Sequence, residues 1–345
     1  MFVEEIQANQ EVSGTFIVAD KQLRTARNGT SFLTLKLVDK TGEIAARVWD
    51  KADETAAAIP PKGAVLVKGR SETFRDELQL NVTELSIVPP GEIKPEDFLP
   101  ACRQDVDKLF ENLKGTAARV KRRSLQSLLR HLLGDRELMD RFKTAPAAKG
   151  MHHAYLGGLL EHSAAVAALT AELCKCYPEV DADILIVGAI LHDIGKIDEF
   201  VYDICIDYST SGRLLGHMVL GVQILEEKIR SMKNFPAEEA MLLKHLILSH
   251  HGEVAHGAVK LPMTREAFLL HYADNIDAKM NGLTRILSEP GGDDAWTAYQ
   301  GPYERFFFRG FPSACTDESS TEADGSEERG QQLSLWTIPL KKPGN

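Results

Sequence analysis

The first part of the chain alternates. Phe32, Thr34, Lys36 and Val38 interleave with Leu33, Leu35 and Leu37, and a period of two puts one of these sets on the inner face of a half-buried strand. A short apolar run at Val12–Ala19 precedes it. The turn DKTGE leads on to a third run at Ile44–Trp49. An Ala-rich stretch from Asp53 to Ala58 predicts a short helix that Pro60-Pro61 ends. Val65–Thr73 and Glu77–Val88 then read as a hairpin around Arg75-Asp76. Five short strands with a small helix after the third predict a five-stranded Greek-key barrel of the OB type over residues 1–90.

The pattern changes after the Pro-rich stretch VPPGEIKPEDFLP. From Gln104 onward the apolar period is helical. Arg119–Leu133 is amphipathic, with Lys121, Arg122, Arg123 and Arg130 on its polar face. Further helices are expected around residues 154–176, 182–192, 216–232, 236–250 and 264–288, punctuated by Pro178, Gly195, Gly212, Pro236, Gly252 and Pro262. The expected order is an all-β barrel (1–90), a linker (91–118), an all-α domain (119–311) and a disordered Ser/Glu/Asp/Gly-rich tail (312–345).

Charge and cysteine usage narrow the picture. The net charge of −10 argues against a chain that is basic throughout. It is unevenly spread: residues 103–149 carry 12 Lys or Arg against 6 acids, and residues 316–330 carry 6 acids against one Arg. A basic middle beside an acidic tail is compatible with local nucleic-acid binding. No apolar run of about 18 residues occurs, so no membrane helix is expected. The opening MFVEEIQANQ has no signal-peptide character. Cys102, Cys174, Cys176, Cys205 and Cys315 form no CxxC pair. A cytoplasmic protein with reduced thiols is expected.

Five pieces of the chain carry metal-ligand chemistry: His162 in LLEH, His192-Asp193 in LHDIGK, His217 in LGH, His250-His251 in SHHGE and Asp274 in YADN. Each lies in or at the end of an apolar, helix-like stretch. Imidazole and carboxylate suit a divalent cation such as Mn, Fe, Zn or Mg. The two oxygens of Asp193 allow it to bridge two ions, and two ions clamp the attacking and leaving oxygens of a phosphoryl centre. The intervals run to tens of residues, so spacing alone does not identify the set. Gly195 is expected to permit a tight turn, and Lys196 to swing toward a phosphate or to partner a helix dipole. Asp274 and Asp277 share a helix face. Asp274 is preferred as ligand, with Asp277 orienting a histidine.

These residues resemble the HD superfamily of metal-dependent phosphohydrolases, whose H…HD…D pattern is matched by His162, His192-Asp193 and Asp274. His217 with His250 or His251 is similar to its two-metal branch. Together with the barrel, the stretches HHAYLGGLLEHS, LHDIGK, GH, SHHGE and ADNID resemble the YhaM-type 3′–5′ exoribonucleases over residues 1–310. The resemblance implies a 3′–5′ direction and an RNA substrate. The GYP element of the cyclic-dinucleotide branch is absent after SHHGEVAHGA, which argues against that substrate.

The expected site therefore has one ion on His162, His192, Asp193 and Asp274 and a second on Asp193, His217 and His250, with His251 as a further candidate. Mn is the first expectation, with Fe, Mg, Co and Zn as alternatives. Lys196 would offset phosphoryl charge. His152 and His153 are candidates to contact the scissile phosphate or protonate the leaving oxygen. The barrel is expected to bind single-stranded RNA, or DNA, by stacking and cationic contacts. Its candidates are Lys36, Arg47, Lys68, Arg70 and Arg75, with Phe16, Phe32, Trp49 and Phe74 as aromatics. Of these, Phe32 and Trp49 are expected to fill the core instead. The alternative functions are hydrolysis of free nucleotides and non-degradative nucleic-acid binding. Past the acidic tail, Gln332, Leu333, Leu335 and Trp336 resemble a sliding-clamp docking peptide. An oligomer is compatible with all of this.

Overall fold

The computed structural model describes residues 1–26, 29–74, 77–289 and 295–311. Arg75 and the tail residues Gln332, Leu333, Leu335 and Trp336 lie outside them. The chain divides into two units, Met1–Ser288 and Glu289–Asn345.

The larger unit begins with strands β1 (Glu11–Thr25), β2 (Ser31–Asp39) and β3 (Gly42–Val48), helix α1 (Ala52–Ala58), and strands β4 (Ala64–Phe74) and β5 (Glu77–Val88). They close into a barrel in the order β1-β2-β3-β5-β4. The β3–β5 pairing is parallel and the others are antiparallel. That order, with a helix between β3 and β4, is the OB topology. Leu33, Leu35, Leu37, Ala46, Val48, Val65, Val67 and Leu80 point inward and are buried. Each such large side chain is worth about 1.5–3 kcal/mol relative to exposure. Lys21 Nζ caps the end of α1 through the carbonyls of Ala56 and Ile59, at 2.5 and 2.6 Å.

Two aromatic expectations change here. Phe16 is fully buried in the barrel. Phe32 and Trp49 are outside it, because their neighbours Leu33 and Val48 point in and side chains alternate. Their rings stack at 4.8 Å, and Trp49 is 40% exposed.

The helical part comprises α2 (Val106–Ala117), α3 (Arg123–Leu133), α4 (Arg136–Thr144), α5 (Gly158–Cys176), α6 (Ala182–Leu191), α7 (Lys196–Glu199), α8 (Thr210–Arg230), α9 (Ala237–Ser249) and α10 (Arg265–Ser288). A two-residue hairpin, β6 (Phe200–Val201) with β7 (Asp207–Tyr208), joins α7 to α8. Within the stretch expected as linker, α2 buries Leu109, Phe110, Leu113 and Ala117 in the helical core. The amphipathic α3 buries Leu125, Leu128, Leu129 and Leu132. It starts at Arg123 rather than Arg119 because the N–H groups of Arg119 and Val120 close the last turn of α2 on Thr116 and Ala117, and the Asp183 carboxylate takes those of Lys121 and Arg122. The central α6 is apolar all round, with Ile184 to Leu191 buried, and Asp181 caps its N-terminus. No helix among the described residues is long and apolar enough to cross a membrane.

In the second unit, Trp296 bridges Phe308 and Gln300 bridges Arg305 around a turn at Gly301–Tyr303. Aromatic contacts of about 5 Å run through it, Trp296–Phe308 and Tyr299–Phe306 among them.

Candidate metal centre

The buried helix α6 delivers His192 and Asp193 at its C-terminal end. Around them stand His162 of α5, His217 of α8, His250 and His251 at the end of α9, and Asp274 of α10. The seven candidate ligands therefore converge. They divide by the two oxygens of Asp193. Oδ2 lies 3.5 Å from His162 Nε2 and 3.4 Å from His192 Nε2. Asp274 Oδ1 lies 3.1 Å from His162 Nε2 and 4.0 Å from His192 Nε2. Oδ1 of Asp193 lies 3.5 Å from His217 Nε2 and 3.4 Å from His250 Nε2. His251 stacks edge-on against His250 at 4.4 Å and lies 5.1 Å from His217.

The other ring nitrogens explain why the Nε2 atoms face inward. His192 Nδ1–H donates to Ala189 O and His250 Nδ1–H to Ile247 O, both at 2.8 Å. His217 Nδ1–H donates to Glu199 Oε1 at 3.1 Å, His162 Nδ1–H to Asp277 Oδ2 at 2.7 Å and His251 Nδ1–H to His256 O at 2.9 Å. Each Nδ1 contact turns its ring so that Nε2 faces the centre, where the Nε2 atoms of His162 and His192 lie 3.1 Å apart. Among the described residues, Asp193 Oδ1, His217 Nε2 and His250 Nε2 are buried without a hydrogen-bond partner. Buried polar atoms are rarely left so, and a divalent cation between them satisfies all three. The donor set therefore fits metal.

The electrostatics agree. Burial pushes Asp193 upward, but the charges of Lys196 and His192 more than reverse this and hold it well below the carboxylate range. Asp274 and Asp277 are likewise held low against burial, chiefly by His162 and by His162 with His153. His162 is drawn up to about 9 by Asp274 and Asp277, against the opposing effect of burial. His251 is pushed down to about 3, first by burial and then by the charges of His250 and His217.

Three expectations are corrected. Gly195 lies in the expected turn between α6 and α7, but its φ/ψ are right-handed helical, so the turn does not use the conformational freedom of glycine. A Cβ on it would lie 2.0 Å from the His217 carbonyl oxygen, so Gly195 is where α7 and α8 press together. Lys196 is buried, and its Nζ donates to Asp193 Oδ2 at 2.6 Å rather than facing open space. His153 has both ring nitrogens engaged, by Tyr155 Oη and by Asp277 Oδ2, each at 2.9 Å. It braces Asp277 and leaves no nitrogen for substrate. His152 does sit against the centre, its ring 6.0 Å from that of His162. Burial, then the charges of Lys196 and His162, push it down to about 4.

Several site residues escaped the sequence reading. Glu199 holds His217, and Asn281, Tyr155 and Glu161 extend the bracing of Asp277. Asn281 lay in reach: Asp274, Asp277 and Asn281 recur at i, i+3 and i+7 on α10. Glu199 carried no signal beyond its place three residues after Lys196.

On the barrel, Lys36 pairs with Glu43 and Lys68 with Glu84, at 2.7 and 2.8 Å. Arg47 and Arg70 flank Asn81 in register on the outer face. The Arg47 guanidinium lies 4.8 Å from the ring centre of Phe74, itself 45% exposed.

The HD domain family model matches residues 159–279, which contain all seven candidate ligands. A second model, the helicase family TraI_2, matches residues 92–180, a stretch with no G-x-x-x-x-G-K-[ST] phosphate loop. The barrel resembles the second OB-fold domain of replication protein A from Methanococcus maripaludis, with a TM-score of 0.22 and 20% identity over 25% of this chain and 91% of that one. The 3′–5′ exoribonuclease YhaM of Oceanobacillus iheyensis is 35% identical over 288 residues, covering 82% of this chain and 89% of the relative. That of Bacillus subtilis (strain 168) is 33% identical over 83% of this chain and 91% of the relative. With its barrel, its HD domain and relatives matched over nearly their whole length, the chain belongs to the YhaM family of 3′–5′ exoribonucleases.

Proposed function

We propose that this chain trims single-stranded RNA from the 3′ end at a two-ion centre bridged by Asp193. One observation carries the reading: the two oxygens of Asp193 face two separate sets of inward Nε2 atoms, His162/His192 and His217/His250. Asp274 completes the first set. His251 stands beside the second, where it meets substrate or adds a ligand. Bound divalent cations would supply a nucleophile from water near neutral pH and offset charge on the phosphoryl oxygens. Mn is the expected cation.

The protein's own part is positioning. Asp277, Glu199 and the carbonyls of Ala189 and Ile247 lock the imidazoles. Lys196 offsets the charge of Asp193 and keeps its carboxylate oriented. His152 is neutral at pH 7 and supplies a hydrogen bond at the edge of the centre. The barrel gathers the strand through Trp49, Phe32 and Arg47, with Arg70 beside them.

The test is a 5′-labelled single-stranded RNA incubated with Mn²⁺-loaded protein and resolved on a gel. Stepwise shortening from the 3′ end, absent in Asp193→Asn, is the expected result. Binding without shortening would replace this reading with non-degradative binding. Release of phosphate from free nucleotides with the RNA left intact would replace it with nucleotide hydrolysis. The same assay with DNA sets the range of substrates.

A further inference from the structure

The hairpin between α7 and α8 carries an aromatic-cationic patch that the metal centre does not use. Tyr208 is 40% exposed, and one part of its ring rests on the buried Phe200 at 5.3 Å. Lys149 Nζ and the Arg213 guanidinium stand over the ring, 5.7 and 5.8 Å from its centre. Both cations are held by one carboxylate oxygen, Asp207 Oδ1, at 2.8 and 2.9 Å. Two cations against one anion leave a net positive charge around a partly open ring.

The patch is linked to the metal centre along the chain and through Glu199. Lys149 lies three residues before His152. Arg213 lies four residues before His217, across the left-handed kink at Gly216. Ser209, next to Tyr208, donates its N–H to the Glu199 carbonyl at 2.8 Å, and the Glu199 side chain holds His217. Tyr208 therefore pairs with the residue after Glu199, the side chain that holds His217. A partly exposed ring braced by Phe200, with two cations near the outer limit of cation–π distance, offers what a base with its phosphate requires: the open part of the ring stacks the base and the cations turn to the backbone.

We propose that Tyr208, Lys149 and Arg213 form a nucleotide subsite at which the single strand is held as its 3′ end enters the metal centre. This rests on the exonuclease reading above. Stacking tolerates every base, so the subsite positions the strand without selecting sequence. Its residues are distinct from those of the barrel face, and it acts on strands of only a few nucleotides.

The experiment measures kcat and KM for a 5′-labelled trinucleotide RNA with Mn²⁺, for the wild type, Tyr208→Phe, Tyr208→Ala and Arg213→Met. Tyr208→Ala should raise KM about tenfold, with the change falling on KM rather than kcat. Tyr208→Phe should stay within about twofold, since the stacking face is kept. Arg213→Met, which leaves the tyrosine in place, should reduce the slope of log KM against log salt by about 0.7, the value for one phosphate contact on a single strand. A wild type that shortens the trinucleotide, while Tyr208→Ala keeps its KM and Arg213→Met keeps its salt slope, overturns the subsite alone. A wild type that shortens no RNA overturns the exonuclease reading and the subsite with it.

Discussion

Glu199 accepts two hydrogen bonds from His217 through a single oxygen: Oε1 lies 3.0 Å from the His217 backbone nitrogen and 3.1 Å from its Nδ1. The first follows from Gly216, whose φ of 73° breaks the helical path and leaves the next N–H without its carbonyl. The second sets the imidazole tautomer. One side chain thus repairs the kink and aims the ligand that the kink presents. Glu199→Ala should lower metal affinity about 10–100-fold, the usual loss when such an orienting partner is removed. Titration calorimetry of Mn²⁺ into metal-free protein measures this. An affinity within about twofold of wild type would show that His217 is held without Glu199.

Gly195→Ala tests the contact between α7 and α8. The added methyl would meet the His217 carbonyl oxygen at 2.0 Å and the Gly221 nitrogen at 2.5 Å. Both are backbone atoms, so the helices themselves must separate. Overpacking of this kind costs about 1–3 kcal/mol. The expected outcome is a lower melting temperature together with weakened metal binding, because His217 moves with its carbonyl. A variant with unchanged melting would mean that the two helices part freely.

What was readable from the sequence divides along physical lines. The barrel strands were readable because Leu33, Leu35 and Leu37 alternate with Thr34 and Lys36, and that period leaves one geometry. The same period also says that the neighbours of Leu33 and Val48 face outward, yet Phe32 and Trp49 were assigned to the core on residue type. The ligand types at helix ends were visible in LLEH, LHDIGK and SHHGE. Their division between the two oxygens of Asp193 was not, since it depends on how five helices cross. Gly195 sits in the turn its position implies, but a glycine kept for a left-handed φ and one kept for a close helix contact look identical in a one-dimensional chain. His153 shows the limit most clearly. Beside His152 it reads as a second reactive histidine, and only the fold shows that Tyr155 and Asp277 take both of its nitrogens.

Glu161 gives a pH dependence with a definite sign. Burial pushes its carboxyl up, but contacts from His153, Tyr155, Cys102 and Gln104 outweigh burial and bring it down to about 2. Its folded value is therefore below the unfolded value of about 4.5. A depressed carboxylate stabilises the fold above the unfolded value, and that contribution is lost as pH falls through the folded one. The melting temperature of wild type should exceed that of Glu161→Gln at pH 7. The gap should narrow as pH falls from about 4.5 toward 2. Thermal melts followed by circular dichroism across that range decide the matter, and a constant gap would assign the effect of Glu161 to packing rather than charge.

The barrel face separates cations that are free to meet a strand from those that are not. Lys68 is matched by Glu84 at 2.8 Å in an exposed pair, and such pairs contribute about 0–1 kcal/mol. Removing both partners, as Lys68→Met with Glu84→Gln, leaves the net charge of the face unchanged. Affinity for a single-stranded RNA should then stay within about twofold. Arg47 instead reaches Phe74 and lies one strand from Asn81 and two from Arg70, on the face where Trp49 stacks on Phe32. Trp49→Ala should weaken binding by about 1–3 kcal/mol, the worth of one base–aromatic stack. Arg47→Met should lower the salt slope of binding by about 0.7. Fluorescence anisotropy with a labelled RNA, in an Asp193→Asn background that prevents trimming, measures all three. If the Lys68/Glu84 pair mattered and Trp49 did not, the strand would cross β4 and β5 rather than the Phe32–Trp49 stack. The barrel would then bind RNA on a face that the exposed aromatic side chains do not mark.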